Sequence, residues 1–180
     1  MVKWQCTLEK LVAMNNSFWE DRKVLITGHT GFKGSWLSLW LNKLKACVYG
    51  ISLKPDTSPS LFNELKLYDL MCESHYQDIR EIEKLKEIIN NIKPDIVFHL
   101  AAQPLVRDSY KYPLKTWSTN VIGSLNILEA LKEINQLCGV VMITTDKVYE
   151  NKEWNYGYRE NDQLGGHDPY SASKAAAEIA

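Results

Sequence analysis

A short apolar run leads directly into three evenly spaced glycines in the stretch Val24-Leu25-Ile26-Thr27-Gly28-His29-Thr30-Gly31-Phe32-Lys33-Gly34. The residues that follow, 35–44, carry apolar side chains at helical spacing. The stretch therefore predicts a strand, a tight turn and a helix. Backbone N–H groups at the start of such a helix attract phosphate groups, so the turn is a candidate dinucleotide site.

Each of the three glycines has a separate predicted role. Gly28 permits the tight turn, Gly31 lets the backbone approach a pyrophosphate, and Gly34 lets the helix pack closely on the strand. The spacing Gly-x-x-Gly-x-x-Gly differs from the more familiar Gly-x-Gly-x-x-Gly, so an ordinary turn without a ligand is the alternative. The flanking strand and helix favour the dinucleotide interpretation.

Strand-like and helix-like segments alternate along the rest of the chain. Strands are predicted at 47–51, 95–100 and 140–145, with a weaker one at 71–76, and helices at 35–44, 60–68, 79–92 and 113–134. This alternation predicts an α/β fold, a doubly wound parallel sheet of Rossmann-like type. The apolar runs 96–98 and 140–143 predict strands covered on both faces. Ligands of such sheets bind beyond the carboxyl ends of the strands, where Gly28, 99–103 and 144–147 are expected to converge.

Length and charge narrow the range of functions. A chain of 180 residues with 45% hydrophobic residues can bury one substantial core, and its net charge of −1 offers no basic patch for nucleic acid. No apolar run reaches the ~20 residues that span a bilayer, and the N-terminus has no signal-peptide core. We therefore expect a cytoplasmic protein that binds neither nucleic acid nor membrane.

Two further features concern metals and domain organisation. The four cysteines show no spacing typical of a metal site, so no bound metal and reduced, packed thiols are predicted for Cys6, Cys47, Cys72 and Cys138. Residues 1–20 precede the first strand and are interpreted as an N-terminal arm, which either packs on the domain or binds a partner. Residues 21–180 are interpreted as the NAD-binding domain.

A candidate proton-transfer pair lies near the end of the chain, in Tyr170-Ser171-Ala172-Ser173-Lys174. Asp168 and Pro169 are suited to begin a helix, and the four-residue spacing places Tyr170 and Lys174 on one helix face. A lysine ammonium beside a phenol is expected to lower the pKa of the tyrosine, which can then act as a general base toward a sugar or alcohol hydroxyl. Such pairs also occur by chance, but this one follows a glycine turn.

Several segments carry a family resemblance. They are 28–37, 98–107, Thr144-Thr145-Asp146-Lys147-Val148-Tyr149, Asn151-Lys152-Glu153-Trp154, Gly157-Tyr158-Arg159-Glu160-Asn161 and 165–171. From about residue 18 onward, the chain resembles the extended short-chain dehydrogenase/reductases that act on nucleotide sugars, and among them the CDP-glucose 4,6-dehydratases. The glycine and Tyr-x-x-x-Lys patterns identify only the superfamily. The triplet Thr145-Asp146-Lys147 and the stretch 153–161 are typical of a smaller group of proteins within it.

The resemblance implies a hydro-lyase that converts CDP-glucose to CDP-4-keto-6-deoxyglucose for dideoxysugar and O-antigen lipopolysaccharide biosynthesis, with NAD as cofactor. Tyr170 takes the C4 hydroxyl proton while hydride passes to NAD⁺, with Thr145 and Lys174 assisting. Water is then lost across C5 and C6, with Asp146 as acid and Lys147 as base, and hydride returns to C6. Lys147 must be partly neutral, through burial or nearby positive charge. A solvated Asp146–Lys147 pair at the start of a loop is the alternative.

The resemblance also implies a set of cofactor-binding residues: Gly28, Thr30, Gly31, Phe32, Lys33, Gly34, Asp78, Ile79, Leu100, Ala101, Ala102, Gln103, Asn120, Thr144, Tyr170 and Lys174. The acidic residue expected about 20 positions after the glycines, which would bind the adenine ribose, is missing. Ser52-Leu53-Lys54 occupies that region, with Asp56 the nearest carboxylate, and a lysine there suits the 2′-phosphate of NADP. The resemblance favours NAD. Asp78 is either an adenine contact or a helix N-cap.

Family members continue for a comparable length and add a small domain that holds the nucleotide sugar. We therefore expect that the chain lacks this C-terminal domain, binds NAD weakly and is inactive alone, and that the full-length enzyme is a homo-oligomer. Two other functions compete with dehydration of CDP-glucose. One is another nucleotide-sugar dehydratase or a 4-epimerase, against which Lys147 argues. The other is an inactive dinucleotide-binding module, against which the intact Thr145, Tyr170 and Lys174 argue.

Overall fold

The computed structural model describes residues 18–180, which contain one five-stranded sheet. All strands are parallel, in the order β3-β2-β1-β4-β5. Their bounds are β1 (Lys23–Thr27), β2 (Cys47–Ser52), β3 (Glu73–Tyr76), β4 (Ile96–His99) and β5 (Gly139–Met142). The predicted α/β class and doubly wound parallel sheet are confirmed. The strand order reverses between β1 and β4, and ligands of such sheets bind in the crevice at that point.

Seven α-helices connect or follow these strands within the described residues. They are α1 (Phe32–Lys43), α2 (Leu61–Glu64), α3 (Ile82–Ile92), α4 (Val106–Lys111), α5 (Pro113–Trp117), α6 (Gly123–Lys132) and α7 (Pro169–Ile179). Two short 3₁₀-helices cover Leu67–Leu70 and Asp146–Val148, and a π-helical turn, Ser118–Ile122, joins α5 to α6. The helix predicted at 60–68 is broken because Lys66 adopts a left-handed conformation, with φ of 48°. Helix α4 is not predicted by the sequence pattern.

The core consists of two apolar clusters, one on each face of the sheet. Leu25, Ile51 and Val97 point to one face and pack against α3 and α6. Val24, Ile26 and Val48 point to the other face and pack against α1 through Leu41. Successive residues of a strand point to opposite faces, so the unbroken apolar run of β1 is explained by burial on both sides.

The burial predicted for residues 140–143 is wrong. Strand β5 is an edge strand of the described sheet, paired only with β4. Its side chains therefore lack neighbours on one flank, and Val140, Val141 and Ile143 remain 37%, 43% and 37% exposed. The apolar character of the segment was read correctly, but its place in the sheet depends on the strand order, which the composition of one strand does not reveal.

Most of the predicted N-terminal arm, and Cys6, lie outside the described residues. At the boundary, Trp19 packs against the cluster beside α1, with its ring 6.3 Å from that of Phe98. The prediction of packed thiols holds for the partly buried Cys47 and Cys138 and is wrong for the exposed Cys72. No helix within residues 18–180 is both long and apolar enough to cross a bilayer.

Candidate active site

The glycine turn lies between β1 and α1, against the loop that follows β4. Gly28 has φ of +78°, and a Cβ on it would lie 2.8 Å from the Ala101 nitrogen. A Cβ on Gly34 would lie 2.1 Å from the Gly28 carbonyl oxygen, so helix and turn approach more closely than any other residue allows. At Gly31 the nearest atom to a Cβ would be 3.4 Å away. The packing of the protein itself therefore does not require glycine at position 31.

The start of α1 is suited to an anion. The first amide of this helix with a backbone partner is that of Ser35, which donates to the Gly31 carbonyl at 2.8 Å. Within residues 18–180 the preceding amides, those of Phe32, Lys33 and Gly34, donate no hydrogen bond, and the first turn carries no acidic side chain. Three unpaired N–H groups at the positive end of a helix dipole fit a diphosphate.

Thr30 and the end of β2 are joined by hydroxyl groups. The Thr30 hydroxyl lies 2.7 Å from that of Ser52 and donates to the Leu53 carbonyl at 2.8 Å. As the sequence predicts, Ser52 stands at the end of β2 in place of an acid. Lys54 is exposed, with its ammonium 5.9 Å from the centre of the Tyr76 ring. The Thr30 hydroxyl therefore holds the glycine turn against β2.

The predicted pair Asp78 and Ile79 follows β3. The Asp78 carboxylate is ion-paired with Arg80 at 2.6 Å, and hydrogen bonds from Arg80 lower its pKa. Helix α3 begins at Ile82 with Glu81 as its N-cap, so the N-cap alternative for Asp78 is wrong. Ile79 is buried against Gly123, where a Cβ would lie 2.5 Å from the Ile79 Cδ1. An adenine contact by Asp78 stays a prediction.

The loop after β4, with Leu100, Ala101, Ala102 and Gln103, is fixed by the buried Asn120 of the π-helical turn. The Asn120 Oδ1 accepts from the Gln103 amide at 2.8 Å, and its Nδ2 donates to the Gln103 carbonyl at 3.1 Å. The same Nδ2 donates to the Ser173 hydroxyl at 2.9 Å. Asn120 therefore ties this loop to helix α7, while its predicted contact with a cofactor stays a prediction.

The two residues of the Tyr-x-x-x-Lys pattern lie on α7, which is capped by Asp168 and begins at Pro169, as predicted. Lys174 is buried and donates to the Ile143 carbonyl at 2.9 Å, and burial lowers its pKa from 10.5 to about 8. The pKa of Tyr170 is raised by burial, against a hydrogen bond with the Thr145 side chain, and Asp168 and Asp146 raise it further. The expected lowering of the Tyr170 pKa is therefore wrong for this structure, because the ammonium is directed to a backbone carbonyl.

Thr144, Thr145, Asp146 and Lys147 follow β5 and meet the start of α7. The Thr145 hydroxyl donates to the Asp146 carboxylate at 3.1 Å and accepts from the Lys147 amide at 3.4 Å. Asp146 and Lys147 are both exposed, and Lys147 lies near the Asp168 carboxylate. Lys147 is therefore not buried, contrary to one of the two expectations for its environment.

An aromatic cluster lies in the segment between the 3₁₀-helix Asp146–Val148 and helix α7. Tyr149 and Tyr158 stack with parallel rings 5.2 Å apart, and Trp154 stacks on Tyr156 at 4.5 Å. The Tyr158 hydroxyl also accepts from the Lys152 amide at 2.8 Å. Because Tyr149 directly follows the Asp146–Val148 3₁₀-helix, the cluster holds the chain beside the predicted acid and base.

Two buried histidines belong to the site although the sequence pattern did not select their side chains. His29, in the glycine turn, is hydrogen-bonded to Ser74 at 2.8 Å, and its ring fills the space where Gly50 would carry a Cβ, 2.5 Å away. His99, at the end of β4, lies 2.7 Å from the Thr27 hydroxyl and 3.0 Å from the Ser124 hydroxyl. Burial lowers the pKa of His29 to about 4 and that of His99 to about 3. A polar residue inside a strand was the available signal for His99.

We expect both histidines to destabilise the fold in acid. The unfolded chain takes up their protons below pH 6.5, whereas the folded chain does so only near pH 4 and 3, so stability is lost as the pH falls through this window. By pH 5 each histidine costs about 2 kcal/mol of unfolding free energy. Urea unfolding between pH 7.5 and 5 measures the loss. His99→Asn should remove about half of it, and replacement of the exposed His167 by Gln should leave it unchanged. Equal losses in all three proteins would contradict the assignment.

Comparison with known proteins agrees with this geometry. The family model described as GDP-mannose 4,6 dehydratase matches residues 25–180. A CDP-glucose 4,6-dehydratase of Salmonella typhimurium is 55% identical over 166 residues, which are 92% of this chain and 46% of that protein. An epimerase structure from Methanothermobacter thermautotrophicus superposes with a TM-score of 0.80 at 26% identity, over 94% of this chain and 49% of that one.

A third comparison concerns the cofactor. The UDP-glucose 4-epimerase of Thermus thermophilus, solved as a complex with NAD, has a TM-score of 0.74 at 25% identity, over 87% of this chain and 49% of that chain. The chain thus spans about half the length of the relatives that it matches. The predicted resemblance to nucleotide-sugar dehydratases is confirmed, and the chain belongs to the GDP-mannose 4,6 dehydratase family.

Proposed function

We propose that the protein containing this chain carries out the NAD-dependent dehydration of CDP-glucose to CDP-4-keto-6-deoxyglucose. The observation that carries the proposal is that Lys174 donates to the Ile143 carbonyl, which holds α7, with Tyr170 and Lys174, against the end of β5 that leads into Thr145. The 55% identity to a CDP-glucose 4,6-dehydratase supports the choice of substrate. The assignments of a cytoplasmic location and a homo-oligomer remain expectations.

The residues that would hold NAD lie along the carboxyl ends of β1, β2 and β4. The unpaired amides of Phe32, Lys33 and Gly34 would bind the diphosphate, with Gly31 leaving room for it. When bound, NAD⁺ supplies a hydride acceptor for C4 of the sugar and later returns the hydride to C6. Because Ser52 stands at the end of β2 in place of an acid and Lys54 is exposed two residues later, binding of NAD and of NADP should be compared directly.

Tyr170 is assigned the removal of the C4 hydroxyl proton. Its phenol is half-buried on helix α7, and the Thr145 side chain is near enough to influence its pKa. Lys174 lies one helical turn further on, and its pKa of about 8 makes the loss of its proton easy for a lysine. Because the pKa of Tyr170 is raised, its phenol must release its own proton to solvent as it takes up the C4 hydroxyl proton.

Asp146 and Lys147 are assigned to the elimination of water across C5 and C6. Asp146 is placed beside Thr145 by a hydrogen bond at 3.1 Å, and Lys147 follows it on the same 3₁₀ turn. Both side chains are exposed on the side of the site where α7 begins. This exposure leaves them accessible to a bound sugar, and it equally fits the alternative of a solvated pair.

The variants Asp146→Asn and Lys147→Met test this assignment in the full-length protein. Each should still form bound NADH from CDP-glucose, because C4 oxidation uses Tyr170, but release of the 6-deoxy product should slow about 10²-fold. Solvent deuterium should enter C5 more slowly in the lysine variant. Lys152→Met, which changes an exposed lysine of the neighbouring loop, serves as the control. Wild-type product formation and C5 exchange in both variants would leave Asp146 and Lys147 as surface residues.

Turnover of CDP-glucose against dTDP-glucose by the full-length protein tests the substrate. Faster turnover of CDP-glucose is expected, while preference for the dTDP sugar would move the protein to another dehydratase of the family. Interconversion of 4-epimers without loss of water would instead make it an epimerase. Binding of NAD⁺ without turnover of either sugar would support the inactive module.

A further inference from the structure

A chain of buried hydrogen bonds connects the loop after β4 with the π-helical turn. It runs from the Ala101 amide to the Thr27 hydroxyl at 3.2 Å, and from that hydroxyl to the His99 Nδ1 at 2.7 Å. It continues from the His99 Nε2 to the Ser124 hydroxyl at 3.0 Å, and from there to the Asn120 carbonyl at 2.6 Å. The side chains of Thr27, His99 and Ser124 are at most 2% exposed, so each bond is made without water as an alternative partner.

The donors and acceptors of this hydrogen-bond chain can be assigned in only one way. The Asn120 carbonyl can only accept, so the single Ser124 hydroxyl proton points to it and Ser124 accepts from the His99 Nε2–H. Burial lowers the pKa of His99 to about 3, so the ring is neutral, and with its proton on Nε2 its Nδ1 accepts from the Thr27 hydroxyl, which itself accepts from the Ala101 amide. His99 is therefore neutral and protonated on Nε2 alone.

The hydrogen-bond chain reaches Tyr170, the predicted general base, through Asn120. The Asn120 Nδ2 donates to the Ser173 hydroxyl at 2.9 Å, and Ser173 donates to the Tyr170 carbonyl at 2.7 Å. The backbone of His99 makes a second link, because its carbonyl accepts from the Ile143 amide at 3.0 Å and the Ile143 carbonyl accepts from Lys174. His99 thus links the loop assigned to the cofactor with both residues of the Tyr-x-x-x-Lys pair, through its imidazole toward Tyr170 and through its backbone toward Lys174.

We propose that His99 is a positioning residue that sets the loop after β4 and helix α7 in register, through Thr27 on one side and Ser124 on the other. The proposal rests on the proposed function for its consequence in catalysis. The hydrogen bond of His99 with Thr27 fixes Ala101 and governs the binding of NAD⁺. The hydrogen bond of His99 with Ser124 fixes Asn120, and through Ser173 governs the placement of Tyr170 for proton removal.

The protonation state is tested without reference to activity. In the full-length protein labelled with ¹⁵N-histidine, the His99 Nε2 should give a protonated-ring signal and Nδ1 an unprotonated one from pH 7.5 to pH 5. The signal that is lost in His99→Gln identifies the His99 ring in these spectra. A His99 ring protonated on Nδ1, or on both nitrogens at pH 7, would overturn the proposal even if the enzyme is active.

Two pairs of variants separate the effect of the His99–Thr27 hydrogen bond from that of the His99–Ser124 hydrogen bond. Thr27→Val and His99→Gln remove the Thr27 bond, and Gln keeps a donor for Ser124; both should weaken NAD⁺ binding about tenfold, the value of one buried hydrogen bond. Ser124→Ala and His99→Asn remove the Ser124 bond, and Asn keeps an acceptor for Thr27; both should slow single-turnover NADH formation about tenfold, with a smaller loss of NAD⁺ affinity because Asn120 also holds Gln103. Calorimetry measures the affinity, and circular dichroism checks that each variant is folded.

Ser109→Ala is the control for loss of a buried hydroxyl. Ser109 is fully buried and donates to the Val106 carbonyl within α4, so it does not belong to the His99 hydrogen-bond chain. Its variant should lose stability but keep the NAD⁺ affinity and the rate of NADH formation. Equal effects of all variants on both readouts would make His99 a general core residue and overturn the proposal. A wild-type protein that binds NAD⁺ but oxidises no sugar nucleotide would contradict the proposed function instead, while the ¹⁵N spectra and the NAD⁺ affinities still decide the role of His99.

Discussion

Tyr170→Phe in the full-length protein is expected to slow hydride transfer from CDP-glucose by about 10²–10⁴-fold, the usual contribution of a general base. The substitution removes the only group at this position that can take the C4 proton, while the ring and its packing on α7 remain. Binding of NAD⁺ should change little, because the amides assigned to the diphosphate lie on α1. Single-turnover absorbance of NADH measures the rate, and calorimetry measures the affinity.

The control for this variant is Tyr110→Phe, which removes a phenol hydroxyl from an exposed tyrosine of α4. It should behave as the wild type in both measurements. If Tyr170→Phe retained near-normal hydride transfer, Tyr170 would be a structural residue and the proton would have to leave through another group. Thr145 would then be the first candidate, because its side chain is near enough to Tyr170 to influence the pKa of the phenol.

Gly34→Ala is expected to destabilise the fold by about 3 kcal/mol or more, as overpacking of a rigid site does. Its Cβ would lie 2.1 Å from the Gly28 carbonyl oxygen and 2.7 Å from the His29 Cα, and these backbone atoms cannot turn aside as a side chain can. Helix α1 would have to move away from β1, taking the unpaired amides with it. Urea unfolding measures the stability loss, and NAD⁺ binding should be lost in parallel.

Gly31→Ala and Gly157→Ala give the matched comparison. At Gly31 a Cβ meets only the Gly28 oxygen at 3.4 Å, so the fold should tolerate it, yet the methyl group occupies the space left for a diphosphate and NAD⁺ affinity should fall. At Gly157 a Cβ meets nothing within 4 Å, and neither quantity should change appreciably. Equal stability of the Gly34 and Gly157 variants would mean that α1 can shift freely, contrary to the packing described here.

The glycine turn and the strand order show how far local sequence determines this fold. The strands, the turn and the cap of α7 follow from residue types that act over a few positions, and they were predicted correctly. The exposure of β5 was not, because burial depends on which strands become neighbours. Likewise, the spacing of Tyr170 and Lys174 placed them on one helix face, but the direction of the Lys174 ammonium depends on the Ile143 carbonyl, 31 residues earlier.

The roles of Asn120 and His99 were the least accessible from sequence. The partners of their side chains lie 17–72 residues away along the chain, so no local pattern joins them. The resemblance marked Asn120 as a cofactor residue, whereas its side-chain amide is engaged by Gln103 and Ser173. Only the three-dimensional arrangement reveals that these polar side chains form one connected set.

The packing of His29 against Gly50 also limits how this part of the protein can evolve. The imidazole occupies the volume that any side chain at position 50 would need, since a Cβ there would lie 2.5 Å from the ring. A larger residue at position 50 therefore becomes acceptable only after the residue at position 29 has become smaller. A mutation at either site alone is disfavoured, and related sequences should show the two positions covarying in size.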